Sequence, residues 1–279
     1  MTEWRQLRDL ITDADDVEAM LRNGTAQLLM IRYTRMSHVG VLALDATTDR
    51  SGLALSAIEA AEDSAETRNL RRGSHLTELL GKSVAIIGVG AIGSHLALSL
   101  HRAGVGTLSL HDYDILRPGN LARHAADPSY VGWNKAEAVA RTIRSGDQTV
   151  QWTDEIISSL DRARTLVSEH DLVVDASADE TVVNLLAIAA DEAGKTIVST
   201  YLSNQGRSKV VEVIAGPASS WAATTEMDPL GVDGYEAGCG DPVSPTPLYE
   251  VLGVVSMGAR SITDLLRGKN TDTQVCERS

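Results

Sequence analysis

The sequence predicts an α/β protein: a doubly wound, mostly parallel sheet preceded by a small α+β segment. Three observations predict it. Apolar runs alternate with amphipathic stretches from Ser83 to Thr200, the pattern of strands joined by crossover helices. A glycine turn, Gly88-Val89-Gly90-Ala91-Ile92-Gly93, stands between the first run and the first helical stretch. The second run, TLSLHD, ends on Asp112, where such sheets place a carboxylate for ribose hydroxyls.

Taken in order, residues 2–23 read as one amphipathic helix, with Trp4, Leu7, Leu10, Ile11, Val17 and Leu21 near helical spacing and Gly24 as its stop. AQLLMIRY and HVGVLALD read as two strands. SGLALSAIEAAEDSAETRNLRR reads as a helix with a polar end. This segment, 1–75, is too small to hold a core comfortably. The main domain, 76–268, carries strands expected at 83–87, 107–111, 149–153, 171–175 and 196–200, and helices at 91–103, 134–145, 156–168 and 180–193. SKVVEVIAG reads as a late, antiparallel strand. Residues 216–249, rich in Pro and Gly, read as a long loop. PLYEVLGVVSMGARSITDLLRG reads as a closing helix whose small residues suit close packing. The polar tail, 269–279, is expected to fray.

The formal charge of −13 disfavours nucleic-acid binding as the main activity. Two cysteines, Cys239 and Cys276, cannot form a four-thiolate zinc site. The acidic start lacks an apolar signal core, and no apolar run is long enough to span a bilayer. A cytoplasmic protein with neither a membrane nor a nucleic acid as partner is the expectation.

Gly88 allows a tight turn out of the first strand, Gly90 lets backbone approach a phosphate, and Gly93 lets the helix pack on the sheet. The helix N-terminus adds free N–H groups and partial positive charge. This motif suits NAD, FAD, SAM or ATP alike. The residues downstream of it are less generic. Asp112-Tyr113-Asp114-Ile115-Leu116-Arg117-Pro118-Gly119-Asn120-Leu121-Ala122-Arg123-His124 is succeeded by Gly132-Trp133-Asn134-Lys135. A ribose carboxylate is thus followed closely by an Arg and a Lys that can meet phosphates, an order that suits ATP chemistry better than hydride transfer.

The order Asp-x-Asp, then Asn-Leu-x-Arg, then Gly-x-x-Lys resembles the ThiF/MoeB superfamily of adenylating enzymes, which includes the ubiquitin-activating enzymes. The resemblance covers about residues 76–268 and implies a Rossmann-like fold. His124 stands where many members have Gln, as in the NLxRH variant of some bacterial relatives. By position, the resemblance implies that Asp112 binds ribose while Asn120, Arg123 and Lys135 surround the triphosphate. It implies a magnesium aspartate in a Thr-Asp pair, but this chain reads Asp175-Ala176-Ser177-Ala178-Asp179. Ala178 falls on the metal position. Asp179 serves if the loop is shifted by one residue, Asp175 is a second option, and Asp179 also fits a helix N-cap. Cys239, between Gly238 and Gly240, stands in the loop where ubiquitin-activating relatives carry a thioester cysteine. Arg71 or Arg72 would reach a partner's ATP site in a homodimer. The loop Thr200–Gly206 is a candidate lining for a substrate tail.

The resemblance implies ATP- and Mg2+-dependent adenylation of the C-terminal carboxylate of a small ubiquitin-like or sulfur-carrier protein, with a thioester on Cys239 to follow. Two other readings stay open: an NAD-dependent oxidoreductase, which leaves Asn120, Arg123 and Lys135 unexplained, and a non-catalytic partner subunit that keeps the fold.

Overall fold

The computed structural model describes residues 2–36, 38–49, 52–61, 64–73, 75–143, 148–203, 206–215 and 246–277. The chain divides into two compact units, Met1–Arg68 and Asn69–Ser279.

In the small unit, β1 (Thr2–Glu3), α1 (Trp4–Arg8) and α2 (Ala14–Arg22) precede three longer strands, β2 (Leu28–Arg35), β3 (His38–Asp49) and β4 (Gly52–Ile58); α3 (Ala65–Asn69) follows. The strands form an antiparallel sheet in the order β1-β4-β3-β2. Its core gathers Trp4, Leu21, Leu44, Leu53 and Leu55, with Leu7, Ile11 and Val17 packed against them.

Two expectations fail here. The single helix over 2–23 is broken: Asp13 adopts a left-handed backbone (φ 58°), and its carbonyl accepts from the N–H groups of Asp16 and Val17, restarting the helix. The break lets Trp4 and Leu21, on different helices, both reach the sheet. The helix expected over 51–72 is a strand, β4, over Gly52–Ile58. Leu53 and Leu55 are buried with Ala54 between them, a period of two rather than of 3.6. Leu55 pairs with Ala46 and Leu53 with Thr48, so pairing with β3 overrides the helical propensity of the Ala-rich run.

The large unit opens with α4 (Leu76–Leu79). It continues β5 (Ser83–Ile87), α5 (Ala91–Ala103), β6 (Thr107–His111), α6 (Lys135–Thr142), β7 (Thr149–Thr153), α7 (Leu160–Glu169), β8 (Leu172–Asp175), α8 (Glu180–Ala193), β9 (Ile197–Ser203), β10 (Ser208–Ile214), α9 (Leu248–Leu266) and β11 (Gln274–Glu277). The seven strands lie in the order β11-β10-β9-β8-β5-β6-β7. The strands β9-β8-β5-β6-β7 run parallel, and β10 and β11 add antiparallel at one edge. This is the doubly wound, mostly parallel sheet expected.

The alternation of β5 shows why both faces are covered. Val84 and Ile86 pack with Leu96 and Leu100 of α5, Val139 of α6 and Val254 of α9. Ala85 and Ile87 pack on the other face with Leu166 of α7 and Leu186 of α8. Each fully buried aliphatic side chain contributes about 1.5–3 kcal/mol. Gly258 brings α9 close: a Cβ there would meet Leu96 and Thr200 at 3.3 Å.

Some boundaries shift. α7 starts at Leu160 rather than 156 because the Ser159 hydroxyl accepts from Arg162 N and caps it. α6 ends at Thr142, and β9 runs on to Ser203. The tail expected to fray is a strand instead. Residues 274–277 pair with Ser208–Val211, since an open sheet edge offers unpaired backbone groups whatever the side chains are. The closing helix expected from Pro247 is α9, with Pro247 as its N-cap and Leu248 as its first residue; of the loop expected over 216–249, residues 216–245 lie outside the described residues. Among the described residues no helix is long and apolar enough to cross a membrane.

Candidate functional site

Strand β5 delivers the glycine turn to the carboxyl edge of the sheet, where open parallel sheets bind ligands. Gly88 holds φ at +82°, and a Cβ there would lie 2.5 Å from Ser177 Cα, so the turn needs glycine for conformation and space alike. A Cβ on Gly93 would land inside the Gly88 carbonyl oxygen. Gly90 is the N-cap of α5, and no side chain caps the helix there. The first intrahelical bond runs from Ser94 N to Gly90 O, which leaves the N–H groups of Ala91, Ile92 and Gly93 at the helix mouth as donors for an anion.

Asp112 stands just past the end of β6. Its Oδ2 accepts from Val89 N at 2.7 Å and its Oδ1 from Asp114 N at 2.9 Å. Burial pushes its pKa up, against these two hydrogen bonds and the Lys135 charge. The carboxylate is thus bound to the glycine turn itself.

The next loop carries Asn120 and Arg123 in and after a short 3-10 turn, Pro118–Ala122. Asn120 Oδ1 accepts from Arg117 N (2.9 Å) and sets that turn. The first turn of α5 then anchors the chain on either side of Arg123. His95 Nε2–H donates to the Arg123 carbonyl (3.1 Å), and Ser94 Oγ accepts from Ala125 N (3.1 Å). His124 Nε2–H donates to the Val89 carbonyl at 2.7 Å, while its Nδ1 accepts from Ala126 N. One nitrogen must give and the other accept, so the ring is neutral. Burial, with the Lys135 and His95 charges behind it, holds its pKa down to about 4 against the Val89 hydrogen bond. His124 is a positioning residue.

Its burial sets a pH signature. From an ordinary value of 6.5 the folded value falls to about 4. The unfolded chain therefore takes up a proton first, and stability present above the unfolded value is lost as pH falls towards the folded one. His124→Gln supplies a donor and an acceptor without titrating. It is expected to flatten the acid limb by about 1.4 kcal/mol per pH unit relative to the parent. Urea titrations at a series of pH values check this; parallel limbs would refute it.

Lys135, the first residue of α6, is buried, and its Nζ donates to Asp114 Oδ2 at 2.6 Å. Asn134 caps α6 and donates to the Asp112 carbonyl (2.6 Å). Burial raises the Asp114 pKa, but the Lys135 hydrogen bond, the Ile115 N–H and the Lys135 and Arg117 charges outweigh it, so the net shift is downward. Hydrogen bonds therefore run from glycine turn to Asp112, from Asp112 to Asp114, and from Asp114 to Lys135.

The carboxylates considered for a metal lie after β8. Asp179 Oδ1 accepts from Thr181 N (2.8 Å) and Val182 N (3.3 Å) and caps α8. Asp175 is buried, and burial pushes its pKa up, against hydrogen bonds from Ser177 and Ser199. Ala178, between them, sits in the left-handed region (φ 57°). Among the described residues no three His, Cys, Asp or Glu side chains gather as a metal cage. The donors suit an ion carried mainly by phosphates, with Asp179 offering an oxygen outside its cap bonds. Cys239 lies outside the described residues. Arg71 and Arg72 fall in the turn after α3, and Thr200–Ser203 belong to β9. Ser94 and His95 escape the reading of the sequence, although two polar residues at the front of an otherwise apolar helix are a signal that something docks there.

Comparison with known proteins places this geometry. The chain is 34% identical over 143 residues to the uncharacterised protein y4qC of Sinorhizobium fredii, covering 46% of this chain and 24% of that protein. It is 27% identical over 207 residues to the ATP-dependent ubiquitin transferase-like protein Cap2 of Enterobacter hormaechei, covering 68% and 34%. It is 36% identical over 123 residues to the adenylyltransferase and sulfurtransferase MOCS3 of Dictyostelium discoideum, covering 43% and 29%. The chain thus spans about a third or less of the length of these relatives. Among solved structures, Escherichia coli MccB with ATP superposes with a TM-score of 0.56 at 17% identity, over 79% of this chain and 73% of that one. PaaA gives 0.59 at 17% identity, over 98% and 82%. Both share the fold. The profile of the ThiF family matches residues 65–236, a span that takes in the glycine turn, Asp112, the Arg123 loop and Lys135, and by that match the chain belongs to the ThiF family.

Proposed function

We propose that the chain catalyses ATP-dependent adenylation of the C-terminal carboxylate of a protein or peptide. The observation that carries this is the hydrogen-bonded run from the uncapped glycine turn through Asp112 and Asp114 to Lys135, beside an Arg123 held by its own backbone. A hydride-transfer enzyme needs the first half of that run and has no use for the second. ATP is a substrate here: a carboxylate oxygen attacks the α-phosphorus, the bond to pyrophosphate breaks, and pyrophosphate leaves.

The residues divide the chemistry. Asp112 holds ribose, and the N–H groups at the head of α5 meet phosphate oxygens. Arg123 offers a fork of donors and Lys135 a compact charge, offsetting the anionic charge that builds between nucleophile and leaving group. Asn120 shapes the loop that presents Arg123. Magnesium would supply further charge neutralisation on the phosphates, with Asp179 its nearest ligand in sequence. The names borne by Cap2 and MOCS3 support a small ubiquitin-like or sulfur-carrier protein as the acyl donor; a homodimer rests on the family resemblance alone. Cys239 would then attack the acyl adenylate, expel AMP and hold the acyl group as a thioester; a reducible adduct that survives Cys239→Ala would sink this step.

The left-handed Ala178 supports one other reading, a non-catalytic subunit. ATP–pyrophosphate exchange with candidate carrier proteins separates the two. Exchange that falls at least about a hundredfold in Arg123→Ala, as loss of a transition-state donor entails, supports catalysis. Asp is better suited than Ala to a left-handed backbone, so Ala178→Asp is expected to lower the magnesium concentration needed for exchange. No exchange in either protein, with tight carrier binding, would leave a binding subunit.

A further inference from the structure

The face of the sheet that carries α7 and α8 is covered unevenly. Its core draws on β5, β8, β9 and β10 but takes nothing from β6 or β7. Parallel strands are ordinarily buried under apolar residues on both faces. Here Leu108 and Leu110 of β6 follow that rule on one side, while Ser109 and His111 stand on the other. They line a cavity of about 380 Å³, bounded also by Trp152 and Thr153 of β7 and by Arg162 of α7. That volume is small-molecule size.

Two polar atoms on residues that line this cavity have no hydrogen-bond partner among the described residues. His111 is 3% exposed. Its Nε2 lies 2.9 Å from Ser109 Oγ, yet its Nδ1 is buried with no hydrogen bond. The Ser109 hydroxyl can donate to Nε2, and in that tautomer the ring proton resides on Nδ1, the form an oxyanion would select. Arg162 gives Nη2 to Glu155 at 2.7 Å, but its Nε is buried and bonded to nothing. Leaving such donors dry is unfavourable, and native proteins rarely do so without a reason. Two unsatisfied donors in one cavity ask for one acceptor-rich occupant.

We propose that this cavity binds a small molecule bearing an oxyanion, a carboxylate or a phosphate monoester, which accepts from Arg162 Nε–H and His111 Nδ1–H. The indole of Trp152 would cover the carbon part of the ligand. Glu169 also lines the cavity, so a polyanion fits less well than a single oxyanion. The site is distinct from the nucleotide edge but joined to it. The His111 carbonyl accepts from Gly88 N (2.8 Å), and Asp112 N donates to the Thr153 carbonyl (3.2 Å). An occupant therefore sits behind the aspartate that faces ribose.

The proposal does not depend on the adenylation reading, and its test needs no carrier protein. Inorganic phosphate, acetate and succinate are titrated into the full chain, followed by thermal denaturation and by the imidazole nitrogen resonances. Saturable stabilisation with a shift of the His111 Nδ1 resonance is expected; phosphate against the carboxylates tells which oxyanion is held. Arg162→Met and His111→Gln, which keeps the Ser109 contact but removes the Nδ1 donor, should each weaken binding about tenfold or more. His111→Asn, whose amide falls near the Nδ1 position, should recover part of it. The shift of the His111 Nδ1 resonance should persist in Arg123→Ala, since that resonance reports this cavity and not the triphosphate edge. The idea fails if no probe binds saturably, or if binding is lost in Arg123→Ala but kept in Arg162→Met. It also fails if Trp152→Glu converts a dimer to monomers while no probe binds, for then a second copy covers this face.

Discussion

Lys135→Met is expected to abolish pyrophosphate exchange and to lower the unfolding free energy by about 3 kcal/mol. Removing one partner of a buried ion pair costs ~3–5 kcal/mol because the other charge is left behind. The lower end applies because the Lys135 side chain is 3% exposed but that of Asp114 is 29% exposed, so water reaches the stranded carboxylate and screens it. The methionine stem keeps most of the packing of the lysine, so the loss reads the charge rather than a cavity. Asp114→Asn in the same chain removes the stranded charge. The double variant should regain most of the stability while exchange stays lost. Chemical denaturation and exchange on the three variants separate the two roles. If the double variant exchanges like the parent, Lys135 is structural and the phosphate role is wrong.

Gly93→Ala is expected to reduce exchange about a hundredfold while Gly119→Ala leaves it unchanged. The new methyl on α5 would occupy the Gly88 carbonyl, a backbone atom with no rotamer to escape through, whereas nothing lies within 4 Å of a Cβ on Gly119. The helix must move off the turn, and the donors at its mouth move with it. Overpacking of this kind typically costs about 1–3 kcal/mol, and a displacement of about 1 Å in the phosphate cradle can cost a hundredfold in rate. Fluorescent ATP-analogue binding and exchange check this. Unaltered nucleotide affinity in Gly93→Ala would show that α5 does not carry the phosphate.

The legibility of the chain tracks the range of its interactions. The run from Ser83 to Lys135 is written in local signals: an apolar strand, glycines where backbone needs room, a carboxylate at a strand end, cations in a set order. The strand–turn–helix pattern sets where those residues stand, although the bonds that join them, Asp112 to Val89 and Lys135 to Asp114, span 23 and 21 residues. Gly52–Ile58 misleads because Ala and Leu favour helix locally, and only Ala46 and Thr48 across the pair make it a strand. Gln274–Glu277 misleads because it lies in a mostly polar stretch, while its backbone makes the pairing. Within the site, Asp112 is marked by its place at a strand end, whereas Asp114 reads equally as a residue that holds the loop and as an exposed carboxylate; the fold decides for the first by setting Lys135 beside it. Asp179 kept two readings in the sequence. The structure shows its cap bonds, which occupy one oxygen.

The contact between Gly88 and the Ser177 backbone also bears on motion. Side chains can yield by changing rotamer; two backbones in touch cannot. The glycine turn and the stretch 176–179 therefore cannot close further on one another, and α5, seated on the Gly88 carbonyl, shares that limit. A push that drove Ser177 inwards would be passed through the turn to α5, so compression on one side of this seam is felt on the other.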